Sequence, residues 1–572
     1  MEIIRFIVGL LVTFLFMYGH QLVYMFVVPR MLHIMQLEGY SFKDYTRWLG
    51  KNVKTAFKPG IKQLLAVGGF YIFIAVLNSI ITKVNPNLFS FGLILAETVG
   101  MLAVFYITNI IIIAREKKAR KNAKKKLVYT ARAKRLMFWN FFLIILVDFG
   151  FMGHYYTTMT GDQVYDLINM FMEFISRCGY YSLFITVIPL NMLIANYLAW
   201  PTESFVKDHY ISSARRKLKK KAHKDLIRIG ITGSYGKTST KFILKTILSE
   251  KYNVLATPES YNTTMGNVRV IREQLKPEHE VLISEMGARY KGDIREICDF
   301  VRTQIGIITS IGPQHLESFK NIETIVKTKA ELIDSLDNDG VVVLPRDNEY
   351  CQTLYTNEKR EKYCYTIKNS NADVYAKDIK LDENGSNFTA VTKIGEIKCT
   401  TKLLGEHNIQ NVLGCIAIAV HLGLTKEQIE QGVRKVEPVP HRLQILNNNN
   451  GTIVIDDAFN SNPVGSKMAL DVLKSFNGRK IVITPGMVEL GVKEHIENKN
   501  FGKHMAKCVD IAILVGIKRS EPIVEGLREE KFDDMNIHVV PDLKAATAKL
   551  AEISRQGDVI LFENDLPDNY NE

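Results

Sequence analysis

The chain is 572 residues long, 47% of them hydrophobic, and it carries a formal net charge of +13. A single hydrophobic core does not organise a chain of this length, which predicts roughly three or four domains. Its seven cysteines show neither C-x-x-C nor zinc-ligand spacing. This argues against a disulfide framework and indicates a reduced, cytosolic setting.

The amino-terminal third contains five apolar runs, each close to the roughly 20 residues that cross a bilayer as a helix. They cover residues 6–28, 64–81, 88–114, 137–156 and 180–200. No A-x-A-like site follows the first run and a basic loop does, so we expect an uncleaved anchor. Loops 30–62 and 115–135 are rich in Lys and Arg, which predicts that they are cytosolic. The amino terminus is then outside, and the chain after residue 200 lies in the cytosol at the plasma membrane.

Two acidic residues, Glu97 and Asp148, lie inside these runs. A carboxylate at membrane depth costs about 2.5 to 3.5 kcal/mol on insertion scales, so each is expected to face a partner or a wet cavity. Contact with a substrate is one interpretation, and burial between helices is the other.

A basic segment, residues 207–224, follows the last apolar run and contains the block R-R-K-L-K-K-K at 215–221. After a membrane span, such a block favours anionic lipid headgroups or a topology signal, and no nucleic-acid partner is expected. We interpret it as a juxtamembrane linker after a membrane domain at 1–206.

Beyond residue 225, β-like runs alternate with helical ones. The β-like runs are residues 226–232, 281–284, 305–310, 341–344, 452–455, 480–484, 511–515 and 559–562. This alternation predicts α/β domains with parallel sheets covered by helices, whose ligands bind at the carboxyl ends of the strands.

A glycine-rich turn follows the first of these strands. It consists of Gly233, Ser234, Tyr235, Gly236, Lys237, Thr238 and Ser239, and a helical run follows it. Strand, turn and helix in this order favour a phosphate cradle, with Lys237 along the terminal phosphates and Thr238 on Mg²⁺. Ile231 stands where the long form of the motif has its first Gly, so an ordinary turn is the alternative.

Polar residues come directly after the next two strands. Glu285 follows one and His315 the other. Beside a phosphate loop, a carboxylate and an imidazole suit divalent cations that bridge ATP oxygens, although a lone Glu or His is more often a helix cap or a surface group.

Several further motifs, in order, resemble the Mur ligase family. They are T-P-E-S-Y-N-T-T-M-G at 257–266, E-M-G at 285–287, His315, K-A-E at 329–331 and G-E-H-N-I-Q-N at 405–411. Arg442, D-D-A-F-N-S-N-P at 456–463 and G-M-V-E-L-G at 486–491 are similar to the MurF branch. The likeness covers about residues 225 to 565.

The resemblance implies roles for individual residues. Lys237 and Thr238 would bind ATP phosphates and Mg²⁺, with Glu285 and His315 completing the metal sites, and Lys329 matches a position that can carry a carbamate and so ligate Mg²⁺. Asn411 would contact the adenine side, Arg442 the phosphates, and Asp456 with Asn460 the ribose. Phe459 replaces a Tyr, and F-E-N-D-L at 562–566 stands where MurF enzymes usually carry K-G-S-R.

The family also implies a fold and an activity. We expect a central P-loop ATPase domain at 225–438, a Rossmann-like carboxyl-terminal domain at 439–572, and an ADP-forming ligase that activates a carboxylate as an acyl phosphate. Because apolar runs precede the ligase part, we predict a lipid-linked envelope precursor as the acceptor and an amino acid or short peptide as the amine donor. The alternatives are a MurF-type or polyglutamate-type ligase on soluble substrates and a non-catalytic, ATP-sensing membrane scaffold.

Overall fold

The structure is a computed structural model that describes residues 2–84, 91–123, 126–158, 163–259, 261–314, 316–368, 370–447, 451–459 and 461–566. Two predicted site residues, His315 and Asn460, lie outside these ranges. The chain divides into two compact units, Met1–Val206 and Lys207–Leu566.

The first unit is helical. Its helices are α1 (Glu2–Leu37), α2 (Phe42–Lys51), α3 (Val53–Val84), α4 (Phe91–Asn122), α5 (Ala131–Thr158) and the longer part of α6 (Gln163–Leu218). Apolar side chains from α1, α2, α5 and α6 form its larger described core, with Tyr24, Met31 and Tyr45 fully buried. The described part of the predicted membrane domain therefore has a packed interior of its own.

Polar side chains join helices within this unit. Arg30 pairs with Glu116 at 2.7 Å, and the Arg135 guanidinium donates to both carboxylate oxygens of Glu203 at 2.5 and 3.0 Å. Glu97 and Asp148 are 6% and 2% exposed, so both carboxylates are sheltered. Their contact with a substrate stays a prediction.

Three described helical stretches are long and apolar enough to cross a membrane, judged by length and composition: Val53–Ile81, Val99–Lys121 and Cys178–Leu218. They overlap the second, third and fifth predicted runs but have different ends. The first and fourth runs lie in α1 and α5.

Helix α6 continues through Pro189, and the Tyr45 hydroxyl donates to the Pro189 carbonyl at 3.1 Å. It also continues to Leu218, through most of the predicted linker. Ala214 and Leu218 are buried in the core of the second unit, and this apolar face explains why the basic segment is helical there.

The second unit begins with a nine-stranded sheet. Its strands are β1 (Ile227–Thr232), β2 (Val254–Ala256), β3 (Val281–Glu285), β4 (Ile305–Ile308), β5 (Val341–Pro345), β6 (Glu361–Thr366), β7 (Val374–Asp382), β8 (Gly385–Thr392) and β9 (Gly395–Thr401). The order is β2-β3-β1-β4-β5-β6-β7-β8-β9, parallel as far as β7 and antiparallel from β7 to β9.

Helices cover both faces of this sheet. They are α7 (Lys237–Leu248), α8 (Thr264–Gln274), α9 (Asp293–Val301), α10 (Leu316–Phe319), α11 (Ile322–Asp334), α12 (Glu349–Asn357), α13 (Glu406–His421) and α14 (Lys426–Arg434). α7 and α13 pack on one face, and α8, α9 and α11 pack on the other. β1 lies between β3 and β4, with Ile231 opposite Glu285 and Ile307. This register brings the carboxyl ends of three strands together.

A six-stranded sheet follows. Its strands are β10 (Gln444–Asn447), β11 (Ile453–Asp457), β12 (Lys480–Thr484), β13 (Ile511–Val515), β14 (Ile537–Val540) and β15 (Val559–Glu563), in the order β10-β11-β15-β12-β13-β14. Only β10 is antiparallel to its neighbour. α15 (Pro463–Ser475), α16 (Glu494–Met505) and α17 (Glu521–Glu529) cover one face, and α18 (Leu543–Ile553) the other.

The prediction of an α/β fold is confirmed, but the expectation of parallel sheets holds only in part. All eight predicted strands are present within two residues of their expected ends. β2, β6 to β10 and β14 were not predicted. β7 and β8, in the antiparallel part of the sheet, contain exposed residues between buried ones, so they lack the continuous apolar runs that mark buried parallel strands.

Helices α16 and α17 approach each other closely at two glycines. A Cβ on Gly502 would collide with the Ile523 carbonyl, and one on Gly526 with the Lys499 carbonyl. We predict that Gly502→Ala lowers the free energy of unfolding by about 1 to 3 kcal/mol, because the helices must separate. Chemical denaturation of the full-length protein measures this. Ile496→Ala, at a 49% exposed position of α16, is the control, and an equal effect of both changes would contradict the packing argument.

Candidate nucleotide-binding site

The turn between β1 and α7 depends on two glycines with positive φ. At Gly233 (φ +150°) a Cβ would collide with the Thr309 hydroxyl, and at Gly236 (φ +78°) it would lie 2.7 Å from Asn411 Oδ1. Any larger residue is therefore excluded on steric grounds at both positions. The tight turn places the start of α7 directly at the carboxyl end of β1.

The residues after β4 hold this turn through hydrogen bonds. Ser234 N–H donates to the Ser310 carbonyl at 2.7 Å, and its hydroxyl exchanges hydrogen bonds with the backbone of Gly312 at 2.9 and 3.0 Å. The Tyr235 hydroxyl donates to the Pro313 carbonyl at 2.9 Å. Ser234 and Tyr235 thus hold the turn in place.

Lys237 is the first residue of α7, and Ser239 lies in the same helical turn. The N-cap is Gly236, which has no side chain to bond the first N–H groups, so these donors and the positive end of the helix dipole suit an anion. The Lys237 ammonium donates to the carbonyls of Gly233 and Ser234 at 2.7 and 3.2 Å. Burial lowers its pKa to about 8, Arg442 adds to the lowering, and Glu285 opposes it.

Glu285, at the end of β3, is fully buried and faces α7. Its Oε1 accepts from the Thr238 hydroxyl at 3.1 Å and from Asn262 Nδ2 at 3.3 Å. Its Oε2 accepts from the Lys241 ammonium at 2.9 Å. The structure therefore brings the predicted metal residues Thr238 and Glu285 together.

Lys329, on α11, is 3% exposed, and none of the described residues accepts a hydrogen bond from its ammonium. Burial lowers its pKa well below the usual value, and the charge of Lys237 adds to this, while Asp293 and Glu331 oppose it. Lys329 and Lys237 thus share one electrostatic environment, in which a neutral amine is favoured.

Asn411 and Arg442 approach the same site from other elements. Asn411, on α13, is buried beside Gly236. Arg442 lies before β10, donates to the Phe459 carbonyl at 3.0 Å and stacks over its ring at 4.5 Å. Burial lowers the pKa of Arg442, and the nearby charges of Asp457 and Glu285 oppose this. Arg442 is therefore close enough for its charge to act on the turn and on Glu285.

Asp456 and its neighbour Asp457 end β11. Asp456 Oδ2 lies 2.7 Å from His441 Nδ1, and Asp457 accepts from the Leu443 N–H at 3.2 Å. Burial raises the pKa of Asp457 to about 6. Asp456 is therefore engaged by His441, and its predicted contact with ribose stays a prediction.

The end of β15 shows what replaces the K-G-S-R motif. Glu563 is 1% exposed and accepts from the Thr484 hydroxyl at 2.6 Å and from the Ser461 hydroxyl. Burial raises its pKa to about 7. Asn564 takes a positive φ of +66° and donates to the Gly486 carbonyl at 2.6 Å. A buried acid thus ties together loops of the carboxyl-terminal domain.

Sequence reasoning missed Lys241, which holds Glu285. The sequence contains one signal for such a role. A lysine in the second turn of a helix lies near the positive end of the helix dipole, which does not favour a positive side chain. Its depth next to β3 is a tertiary property that no local pattern contains.

The second unit is an α/β protein with two sheets, and its glycine-rich turn lies beside a buried carboxylate. Residues 231–419 match the model of the Mur ligase middle domain, and residues 441–563 match that of the Mur ligase glutamate ligase domain. A Mycobacterium bovis UDP-N-acetylmuramoyl-tripeptide–D-alanyl-D-alanine ligase is 31% identical over 358 residues, which are 59% of this chain and 69% of the relative.

Solved structures agree with this fold. MurF from Acinetobacter baumannii superposes with a TM-score of 0.57 and 25% identity, covering 63% of this chain and 77% of MurF. MurF from Thermotoga maritima, solved in complex with ADP, gives a TM-score of 0.55 at 24% identity, covering 63% of this chain and 80% of that protein.

The chain belongs to the Mur ligase family. The predicted resemblance to its MurF branch is confirmed, and the names of these relatives, which are those of ligases, support the predicted enzyme class. The chain spans between 59% and 72% of the length of the curated relatives compared. The predicted domain boundaries at 225, 438 and 439 stay predictions.

The lowered pKa of Lys237 makes nucleotide binding dependent on pH. Above about pH 8 most of the free side chain is neutral, and a polyphosphate favours the ammonium, so binding must take up a proton there. We predict proton uptake at pH 8.5 that shrinks toward pH 7, measured by calorimetry of ADP binding in buffers of different ionisation enthalpy. Lys237→Arg keeps the charge and does not titrate, so it must lack this component. Equal uptake by both proteins would contradict the assignment.

Proposed function

We propose that this chain is a MurF-type ligase that uses ATP to join a carboxylate to an amine in a cell-wall peptide precursor. The observation that carries the proposal is the pairing of Glu285 with Thr238 at the start of α7, where Lys237 lies. Family membership supports it, since the related proteins are named as ligases of this kind.

The residues fit a magnesium–nucleotide complex. The uncapped start of α7 and Lys237 suit the phosphates, and the Thr238 hydroxyl with the Glu285 carboxylate supplies the oxygen ligands that Mg²⁺ prefers. Bound there, Mg²⁺ would offset the negative charge that keeps two anionic substrates apart. Asn411 and Arg442 would contact the adenine side and the phosphates.

The proposed reaction has two steps. A carboxylate oxygen attacks the γ-phosphorus of ATP, and the bond between this phosphorus and the β–γ bridging oxygen breaks. ADP is released, and the product is an acyl phosphate. An amine nitrogen then attacks the acyl carbon, loses a proton and expels phosphate, which leaves an amide. Lys237 and Arg442 stabilise the charge on the transferring group.

The surroundings of Lys329 favour the formation of a carbamate on its side chain. Its burial and the charge of Lys237 both favour the neutral amine, which is the form that adds to CO₂. The ammonium first loses one proton, and the neutral nitrogen then bonds to the carbon of CO₂ and loses a second proton. The cation thereby becomes a carbamate anion with carboxylate-like oxygens. The carbamate would then supply a further oxygen ligand for Mg²⁺ near Lys237.

Soluble substrates fit the comparisons better than lipid-linked ones, because the similar ligases are named for a UDP-linked tripeptide and D-alanyl-D-alanine. The amine donor of this chain is proposed to be an amino acid or short peptide. F-E-N-D-L at 562–566, in place of K-G-S-R, removes two positive charges from a loop that is expected to face the substrate, so we expect a preference that differs from D-alanyl-D-alanine.

A lipid-linked carboxylate is the second candidate acceptor. The three apolar stretches favour it, because they would hold the ligase at the bilayer surface. A scaffold that only senses ATP is less well supported, since the Glu285 carboxylate and the Lys329 amine are costly buried polar groups that a non-catalytic site does not need.

The proposed activity is tested with the full-length protein in detergent or nanodiscs. We predict ATP-dependent amide formation with a UDP-linked peptide carboxylate, read out by mass spectrometry and ADP release. Lys237→Met is predicted to lower the rate at least 10³-fold with an unchanged melting temperature, because it removes charge from the transition state. Product only with lipid-linked acceptors would favour the second candidate, and no product from any carboxylate and amine would favour the sensor.

The carbamate makes activity dependent on CO₂. We predict that removal of dissolved CO₂ and bicarbonate lowers the ligation rate and that bicarbonate restores it. Lys329→Ala is predicted to lose at least about 100-fold and to regain part of the rate with a short carboxylic acid, which supplies the missing oxygen ligand. Lys327→Ala, exposed on the same helix, is the control. A CO₂-independent rate together with an active Lys329→Ala variant would contradict the carbamate.

A further inference from the structure

Lys241 is a buried charge to which the proposed reaction gives no task. It lies in the second turn of α7 with a side chain that is fully buried, opposite an equally buried Glu285. Its ammonium donates to Glu285 Oε2 at 2.9 Å and to the backbone carbonyl of Glu259. The charge is therefore shared between the end of β3 and the stretch that follows β2.

Stability does not explain why this lysine is there. Removing two charges from water is costly, and well-packed apolar replacements of a buried ion pair are often neutral or stabilising. A buried pair that contributes little to stability but fixes one geometry is better explained by the group that it orients. Here that group is the carboxylate of Glu285.

The two oxygens of Glu285 have different neighbours. Thr238 and Lys241 are three residues apart on α7 and so approach the carboxylate from the same face of the helix. Thr238 donates to Oε1 at 3.1 Å, while Lys241 occupies Oε2. With Lys241 bonded to one oxygen, the other oxygen is turned toward the Thr238 hydroxyl.

Lys241 also anchors the stretch after β2. Glu259 adopts a positive φ of +42°, which is uncommon for a residue with a side chain, and its carbonyl is the one that Lys241 bonds. Further along, the Gly287 N–H donates to the Asn262 carbonyl at 2.7 Å, and Asn262 Nδ2 reaches Glu285. One ammonium therefore connects three elements around the carboxylate.

We infer that Lys241 is a positioning residue for the nucleotide's divalent cation. It holds Glu285 with Oε1 toward Thr238 and keeps the stretch after β2 against the same carboxylate. The inference rests on the proposed function in one respect, since it places the cation at Glu285.

The test is a Mg²⁺ titration of the full-length protein binding a non-hydrolysable ATP analogue. Lys241→Met is expected to raise the half-saturating Mg²⁺ concentration at least about tenfold, the usual effect of losing a partner that orients a metal ligand. Affinity for the analogue at saturating Mg²⁺ is expected to change less than about threefold. Lys241→Arg, which can still donate to Glu285, is expected to stay near the wild type.

Lys245→Met is the matched control, because Lys245 lies one turn further along α7 and is exposed. A Mg²⁺ requirement of Lys241→Met equal to that of the wild type and of Lys245→Met would overturn the inference. If Lys241→Met does not fold, Glu285→Gln is compared with the Lys241→Met/Glu285→Gln double variant, in which both charges of the pair are gone. Equal Mg²⁺ requirements of these two proteins support the inference, and a further rise in the double variant overturns it.

This readout is independent of ligation. If the Mg²⁺ requirement depends on Lys241 but the protein forms no amide, the role of Lys241 is supported and the proposed function is contradicted. If the protein forms an amide but its Mg²⁺ requirement does not depend on Lys241, the proposed function is supported and the role of Lys241 is contradicted.

Discussion

The carboxylate of Glu285 is the point on which the described site depends. It is withdrawn from water at the end of β3, and it stays there because α7 and the stretch after β2 supply donors to both of its oxygens. A buried carboxylate without such partners would be too costly to keep. The parallel register sets Ile231 opposite Glu285 and so brings this acid next to the glycine-rich turn. The strand order of the sheet therefore determines where the negative charge of the site lies.

Basic side chains approach this acid from several elements. Lys237 and Lys241 come from α7, Lys329 from α11, and Arg442 from the start of the second sheet domain. Burial lowers the pKa values of Lys237, Lys329 and Arg442, and a neighbouring cation adds to this for Lys237 and Lys329. A bound polyanion would favour the charged forms of these side chains and so offset the cost of their burial. This arrangement suits the polyphosphate ligand that we propose, and Arg442 would contribute to its binding from the start of the second sheet.

Much of this was predictable from sequence. The turn at Gly233 to Ser239 and the strand before it follow from glycine spacing and a buried apolar run, and Glu285 was found because polar residues at strand ends meet at one edge. The antiparallel strands β7 to β9 were not found, since their alternation at a sheet edge gives a weak signal. The roles of Lys241 and Glu563 depend on burial between distant segments. The helical linker was missed because Ala214 and Leu218 are hidden among basic residues.

The central claim is that Glu285 is the protein carboxylate that holds the cation of a bound nucleotide. The most direct measurement is electron paramagnetic resonance of Mn²⁺ bound with ADP to the full-length protein. The account predicts a tightly bound, nucleotide-dependent Mn²⁺ signal in the wild type that is lost in Glu285→Gln at the same concentrations, while the protein stays folded. An unchanged Mn²⁺ signal and affinity in Glu285→Gln would contradict it.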